Sequence, residues 1–226
     1  MAKYCFIVRS RDESRWIGHC IQSIIDNFSD LEIVVVDNDS TDDTLDVVKL
    51  FVNDRNNLNI KVKNLPKREY APGRAINLGI NSLETADEKS IICIISSHCV
   101  IKSFDKEHLE SLLGEKDCCA VFAKQIPVYR GKKILFRYVW ENFIYDDVVK
   151  NPIENIPQKR LFFHNALSFI NYNDCKQNLF DETCTSKEDR VWIAKLSEKG
   201  KYCYFTPEVS CFHHWTPSGA TWRGQG

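Results

Sequence analysis

Four apolar runs, Tyr4 to Val8, Ile33 to Val36, Ile60 to Val62 and Ile91 to Ile95, alternate along the first hundred residues with stretches of helical apolar spacing. Those stretches lie around Trp16 to Phe28, Thr44 to Val52 and Arg74 to Leu83. The alternation predicts β-α-β-α-β-α-β and an α/β fold with a mainly parallel central sheet flanked by helices. The unbroken β-branched block Ile33 to Val36 leaves no polar face, as suits a strand covered on both sides. It ends abruptly in Asp37-Asn38-Asp39-Ser40-Thr41-Asp42-Asp43-Thr44. Ser40 and Asp43 stand at capping-box spacing and predict a helix through Leu45, Val47, Val48 and Phe51. Asp37 and Asp39 then fall at the carboxyl end of a strand, the edge at which open α/β sheets bind ligands. A carboxylate there accepts from a nucleobase imide or a ribose hydroxyl, or else only solvates a turn.

Past residue 100 the pattern loosens. It predicts a helix near Lys106 to Leu113, a strand near Cys119 to Ala123, an aromatic segment from Ile134 to Tyr145 and a Pro-containing loop from Asn151 to Pro157. A short strand at Ala166 to Ile170, a helix from Glu188 to Lys199 and a strand at Tyr202 to Phe205 follow. The expectation is one domain over 1–226, with 1–100 as a nucleotide-binding half and 101–226 shaping a second substrate site.

Composition narrows the function. The chain has 226 residues, 43% of them hydrophobic, enough for a full core. Its 30 basic and 31 acidic residues give a net charge of −1, without the excess expected of a nucleic-acid binder. Ten cysteines contain no C-x-x-C pair, which argues against a zinc module. Several lie in apolar runs, no secretory signal precedes the first strand and no stretch has the length of a membrane span; reduced thiols in a cytoplasmic protein are the expectation.

Ordered blocks carry a family resemblance: Ile7-Val8-Arg9-Ser10-Arg11-Asp12-Glu13 with Trp16-Ile17, then Ile33 to Thr44, then Ala71-Pro72-Gly73-Arg74-Ala75-Ile76-Asn77-Leu78-Gly79, then Lys187-Glu188-Asp189-Arg190-Val191-Trp192, and finally Pro207 to His213. In this order and spacing they resemble the family-2 glycosyltransferases of GT-A fold, the Rossmann-like nucleotide-diphospho-sugar transferase architecture. The resemblance implies transfer of a sugar from a nucleotide-activated donor to a hydroxyl, with inversion at the anomeric carbon. It places Arg9 and Glu13 beside the donor base and ribose, Asp37 at the base, and Asp39 as a neighbouring candidate. Gly73 would allow close backbone approach. Arg74 offers a planar cation for the diphosphate or for holding the acidic base site, and Asn77 serves the same wall, unless both only cap and solvate a helix.

The family usually places an Asp-x-Asp after the fourth strand to bind a divalent metal and the diphosphate. Here the chain reads Ser96-Ser97-His98-Cys99, which resembles a branch with a Ser-x-His-Cys block. Ser97 joins the donor-binding candidates. For His98 three readings stay open: ligand to a divalent cation, for which Mn²⁺ suits an imidazole better than Mg²⁺; direct donor to a phosphate oxygen; or a buried histidine satisfied at a strand end. His213, beside His214, stands where the family has its closing histidine and would complete a metal or diphosphate site with His98; the alternative is a surface pair. An acceptor hydroxyl needs a carboxylate base on the face opposite the leaving group. Asp189 is that candidate, with Glu188 orienting the acceptor or an Arg, although Ser186 and Asp189 also have capping-box spacing.

The resulting expectation is an inverting glycosyltransferase acting on a glycan or lipid-linked acceptor in bacterial surface polysaccharide synthesis. UDP-sugars are the slightly favoured donors, and no nucleic acid is expected among the partners. The alternatives are a catalytically silent nucleotide- or glycan-binding module and a sugar nucleotidyltransferase. The aromatic segment Ile134 to Tyr145, with Lys132, Lys133 and Arg137, packs in the core or a dimer contact, or lies against the inner face of a membrane. The tail Trp215 to Gly226 is either a flap over the donor or unstructured.

Overall fold

The computed structural model describes residues 2–52, 58–130, 132–133, 140, 142–154, 159–217 and 219. Strands β1 (Tyr4–Ser10), β2 (Leu31–Asp37), β3 (Asn59–Asn64) and β4 (Ile91–Ser96) are all parallel, in the order β3-β2-β1-β4. Helices α1 (Ile17–Asn27), α2 (Thr44–Val52) and α3 (Pro72–Asn81) make the crossovers. Because the register pairs Ser10 with Asp37 and Arg9 with Ser96, the carboxyl ends of β1, β2 and β4 finish level, and the loops that follow open onto one edge.

Beyond β4 the chain adds β5 (Cys99–Ser103), α4 (Lys106–Leu113), β6 (Cys118–Tyr129), the two-residue β7 (Lys132–Lys133) and β8 (Val149–Lys150), β9 (Leu167–Asn171), α5 (Tyr172–Gln177), α6 (Glu188–Ser197) and β10 (Tyr202–His214). The same sheet continues as β4-β9-β6-β10-β5, with β7 on β6 and β8 on β10. The parallel order holds as far as β4; past it the sheet is mixed, since β9 runs antiparallel to both β4 and β6 while β6 and β10 are parallel.

Alternation along β1 explains why both faces are covered. Tyr4, Phe6 and Val8 join a core with Ile17, Ile21 and Ile24 of α1 and Leu109 and Leu112 of α4. Cys5 and Ile7 join the opposite core with Ile76 of α3, Phe122, Phe162, Phe163 and Trp192 of α6. Gly79 of α3 exists for this packing, as a Cβ there would stand 2.4 Å from Ile7 Cγ2. No helix among the described residues is long and apolar enough to cross a membrane. All ten cysteines are free thiols, nine of them buried.

Several elements differ from the sequence expectation. β10 runs to His214 rather than stopping at Phe205, because the register shifts between Thr206 and Ser210 and absorbs Pro207 in an irregularity. β5 was not expected, since its five residues alternate too briefly to stand out from the Ser-x-His-Cys block. The Ser40–Asp43 capping box does not form: Ser40 is tied to Asp37 instead, and Asp42 accepts from the Thr44 backbone N–H and hydroxyl where α2 begins. Ser186 likewise caps nothing; the residue before α6 is Lys187, in the left-handed region at φ 62°. Residues 134–139 and 141 of the aromatic segment lie outside the described residues, as do 218 and 220–226 of the tail. Trp140 and Phe143 are buried in the second core, while Ile144 and Tyr145 are exposed.

Candidate active site

The β1–α1 loop and the β2–α2 loop are stitched together at the sheet's carboxyl edge. Asp12, at φ 50°, accepts from Thr41 N–H at 2.7 Å, Ser40 Oγ accepts from Asp12 N–H at 2.9 Å, and Thr44 Oγ1 accepts from Glu13 N–H at 2.7 Å. These bonds fix the direction in which Arg9 and Glu13 leave the sheet. Arg9 then spans the crevice: Nη1 lies 3.3 Å from Glu188 Oε1 at the start of α6, while Nη2 reaches Asn165 O at 3.0 Å and Ser96 Oγ at 3.4 Å. The ends of β1 and β4 and the first turn of α6 are thereby brought to one place.

Next to them a second cluster forms. His98 Nδ1 is 3.0 Å from Glu13 Oε1, His98 Nε2 is 2.9 Å from His213 Nε2, and His213 Nδ1 is 2.6 Å from Gln125 Oε1. Where Glu13 Oε1 and Gln125 Oε1 are the acceptors, the proton of each ring sits on Nδ1. The two Nε2 lone pairs then face each other, which is repulsive unless a proton or a cation lies between them. Burial, with the neighbouring His98 and His164 adding to it, pushes the His213 pKa well below its ordinary value and disfavours the proton. Ser97 stands beside His98, its N–H donating to Arg9 O at 3.0 Å and its buried Oγ without a hydrogen-bond partner. Two imidazoles, each anchored through its far nitrogen to an oxygen and brought together at their Nε2 atoms, fit a divalent cation of the Mn²⁺ type. Cys99 Sγ, fully buried and hydrogen-bonded to Cys211, also comes within 4.8 Å of one ligand nitrogen of each ring.

Asp189 and Glu188 sit in the first turn of α6, both buried. Asp189 Oδ1 accepts from Arg190 N–H at 2.8 Å. Desolvation first, and then the adjacent Glu188 carboxylate, push the Asp189 pKa up to about 7, against the pull of Arg190 and Arg9. That is the range in which a carboxylate works as a general base near neutrality. Glu188 is engaged by Arg9.

The structure separates the remaining candidates from this cluster. Asp37 is buried at the end of β2 and spends its carboxylate on Ser40, accepting from N–H at 3.0 Å and from Oγ at 2.5 Å. Asp39 is solvent-facing at φ 49°. Hydrogen bonds from Lys67 N–H (2.7 Å) and Asn64 Nδ2 (3.1 Å) lower its pKa, and with Pro66, Lys67 and Arg68 it lines an open groove. Gly73 meets protein, since a Cβ there would stand 2.5 Å from Asp181 O. Asn77 brackets Phe180 (Nδ2 to O and N–H to Oδ1, both 2.9 Å) and also donates to Glu182, which pairs with Arg74 at 3.0 Å. These three residues of α3 hold the 180–182 segment leading into α6.

Further residues complete the picture. Gln125 orients His213; its signal was the polar pair Lys124-Gln125 within a largely apolar strand run. Asn165 supplies the carbonyl for Arg9 and lies in the Phe162 to Ala166 segment. His214 stacks on Trp16 at 3.8 Å with an interplanar angle of 14°, tying the end of β10 to the β1–α1 loop. Glu154 and Arg190 form a buried ion pair that no local pattern announces.

Comparison with known proteins agrees with this architecture. The family model described as "Glycosyl transferase family 2" matches residues 5–176. Poly(ribitol-phosphate) beta-N-acetylglucosaminyltransferase TarS of Staphylococcus aureus (strain Mu50 / ATCC 700699) is 33% identical over 87 residues, 37% of this chain and 15% of TarS. Among solved structures, S. aureus TarS 1-349 in complex with UDP-GlcNAc matches with a TM-score of 0.67 at 19% identity, over 96% of this chain and 60% of that one. GalNAc-T7 with UDP, GalNAc and Mn²⁺ matches with a TM-score of 0.72 at 13% identity, over 97% and 45%. The mannosyltransferase PcManGT from Pyrobaculum calidifontis in complex with GDP-Man and Mn²⁺ matches with a TM-score of 0.67 at 18% identity, over 96% and 58%. At such identities the likeness is one of fold, and the chain spans less than two thirds of each of these relatives.

Proposed function

This chain belongs to glycosyl transferase family 2 and has the GT-A fold, and on that premise we propose that it transfers a sugar with inversion from a nucleoside-diphosphate donor to a hydroxyl of a glycan or lipid-linked acceptor. The observation that carries the reading is the buried Glu188–Asp189 pair facing, across Arg9, the Glu13–His98–His213 cluster. One side of the crevice offers a base whose proton affinity is tuned to neutrality. The other offers cationic and imidazole groups for a leaving diphosphate.

In this reading Asp189 accepts the proton of the acceptor hydroxyl, and burial of its surroundings excludes water that would compete as nucleophile. Glu188, held by Arg9, fixes the orientation of the first turn of α6. Asp39, in the groove with Lys67 and Arg68, takes the donor base, and residues 1–100 and 101–226 divide into donor and acceptor sides. His98 and His213, with Ser97 adjacent, would hold Mn²⁺ or a similar ion. Such an ion, when bound, supplies charge neutralisation at the diphosphate. UDP-sugars are the favoured donors, in keeping with the UDP and UDP-GlcNAc bound by two of the structural relatives, and assembly of bacterial surface polysaccharide is the favoured setting, in keeping with TarS. Ten free thiols suit a reducing, cytoplasmic location.

A thermal-shift panel of UDP, GDP, CDP, dTDP and CMP, each with Mn²⁺, Mg²⁺ or a chelator, tests this directly, because a ligand that binds only the folded state raises the midpoint. Stabilisation by UDP that requires Mn²⁺ is expected. Stabilisation that survives the chelator moves the diphosphate role to Arg and His side chains, and silence toward every nucleotide sinks the transferase reading.

A further inference from the structure

Arg190 directly follows Asp189, yet its guanidinium turns away from it. Nε lies 2.6 Å from Glu154 Oε1, and the group sits over the Phe162 ring, 5.1 Å from its centroid. The Glu154 side chain is fully buried, and its other oxygen receives Arg160 Nε at 3.0 Å and Nη2 at 2.9 Å. The neck presenting Glu154 is set by backbone pairing: Glu154 N–H donates to Arg160 O and Phe162 N–H to Pro152 O, each at 2.7 Å, and Ile153 bridges Leu161. Burying such charges is a poor route to stability, because desolvation cancels most of their attraction. Their placement has a clearer consequence for the neighbouring carboxylate. A guanidinium free to turn onto Asp189 would hold it ionised and weaken it as a proton acceptor.

The other charged groups around Asp189 are already committed. Arg9 of β1 is bound to Glu188, and Glu188 repels a second negative charge. His164, from the segment before β9, is kept uncharged by burial and by Arg190 and Arg9, its pKa pushed down to about 3. Arg190 is therefore the cation whose position decides the balance.

We propose that Glu154 is a positioning residue for the transfer reaction: by capturing the Arg190 guanidinium it withholds that charge from Asp189 and preserves the carboxylate's basicity. This rests on Asp189 as the base, so the test separates the two claims. In protein labelled with ¹³C-aspartate, the carboxyl signal lost in Asp189→Asn belongs to Asp189, and its titration is followed by NMR without any acceptor. Glu154→Gln is expected to lower the midpoint by about one pH unit, and Arg190→Met to raise it by about as much, with Arg190→Lys restoring it part of the way. Midpoints unmoved, or moved in the same direction by Glu154→Gln and Arg190→Met, overturn the proposal. If Glu154→Gln does not fold, the sign of the Arg190→Met shift decides alone: upward supports the proposal, and unchanged or downward refutes it. The base assignment is checked separately, by hydrolysis of the sugar nucleotide that the thermal panel selects; if Asp189→Asn leaves that rate unchanged, Asp189 is not the base, whatever its titration shows.

Discussion

At the scale of single residues, the site joins two opposite ways of handling buried polar groups. Glu13, His98, His213 and Gln125 stand in a chain of close contacts that leaves the two Nε2 atoms facing each other, whereas Asp189 is left with one backbone hydrogen bond and a carboxylate neighbour. The cost falls on the ionised form. A carboxyl whose pKa rises from 3.8 to about 7 on folding contributes stability that is fully present below 3.8 and lost as the pH rises through 7. Two outcomes follow for Asp189→Asn. Glycosyl transfer should fall by about 10²–10⁴-fold, and the melting midpoint at pH 8 should rise by about 2–4 °C per kcal/mol recovered. Calorimetry at pH 8 with a donor-turnover assay reads both, and a variant that loses stability there contradicts the assignment of a desolvated base. In the wild type, turnover should rise with pH through about 7, as the base becomes ionised.

At the scale of elements, α6 is aimed by α3 and not by its own cap. Lys187 precedes α6 in a left-handed conformation with no side-chain cap, so the 180–182 segment must be held from outside. Asn77 and Arg74 do this, and Gly73 lets the two backbones meet. Gly73→Ala would push a Cβ against the Asp181 carbonyl and should cost about 1–3 kcal/mol. Because the displaced segment leads into the helix that carries Glu188 and Asp189, turnover should fall more than nucleotide binding does. Urea unfolding together with nucleotide titration checks this, and equal losses in both would mean that α3 supports the donor side instead. The same elements show why part of the site was hidden from the sequence. Arg74 and Asn77 stood in a recognisable block, but whether they faced a ligand or a loop depended on a segment about a hundred residues further on.

At the scale of the whole molecule, a single sheet carries the site from residue 9 to residue 213, and its outer edge is locked by a buried charge. Glu32 of β2 accepts from Lys61 Nζ at 2.7 Å, from Glu84 and Thr85 N–H at 3.0 and 2.9 Å, and from Thr85 Oγ1 at 2.5 Å. Burial alone would raise its pKa, but these hydrogen bonds outweigh it and bring it down to about 2. A depressed carboxyl contributes stability that is present above 4.5 and lost as the pH falls toward 2. The melting midpoint should therefore drop over that window, and Glu32→Ala should flatten the drop while costing about 2–4 kcal/mol at pH 7. A pH series of thermal melts on both proteins decides it; an unchanged slope in the variant would assign the acid sensitivity to other carboxylates.

The alternation of apolar runs determined the α/β class and the parallel order of β1 to β4, because a strand covered on both faces and a helix covered on one leave different periods in the sequence. It also marked where β1, β2 and β4 end, since buried apolar residues give way there to charged and polar ones. The ordered blocks were legible for the same local reason. What only the tertiary structure decided is which of these residues meet. The pairing of His98 with His213 follows from β5 and the second half of β10, two stretches with weak patterns of their own, and the antiparallel insertion of β9 turns the sheet from parallel to mixed. Gln125, Asn165 and Glu154 act on partners 88, 156 and 36 residues away, and contacts of that range are set by packing rather than by any neighbouring residue.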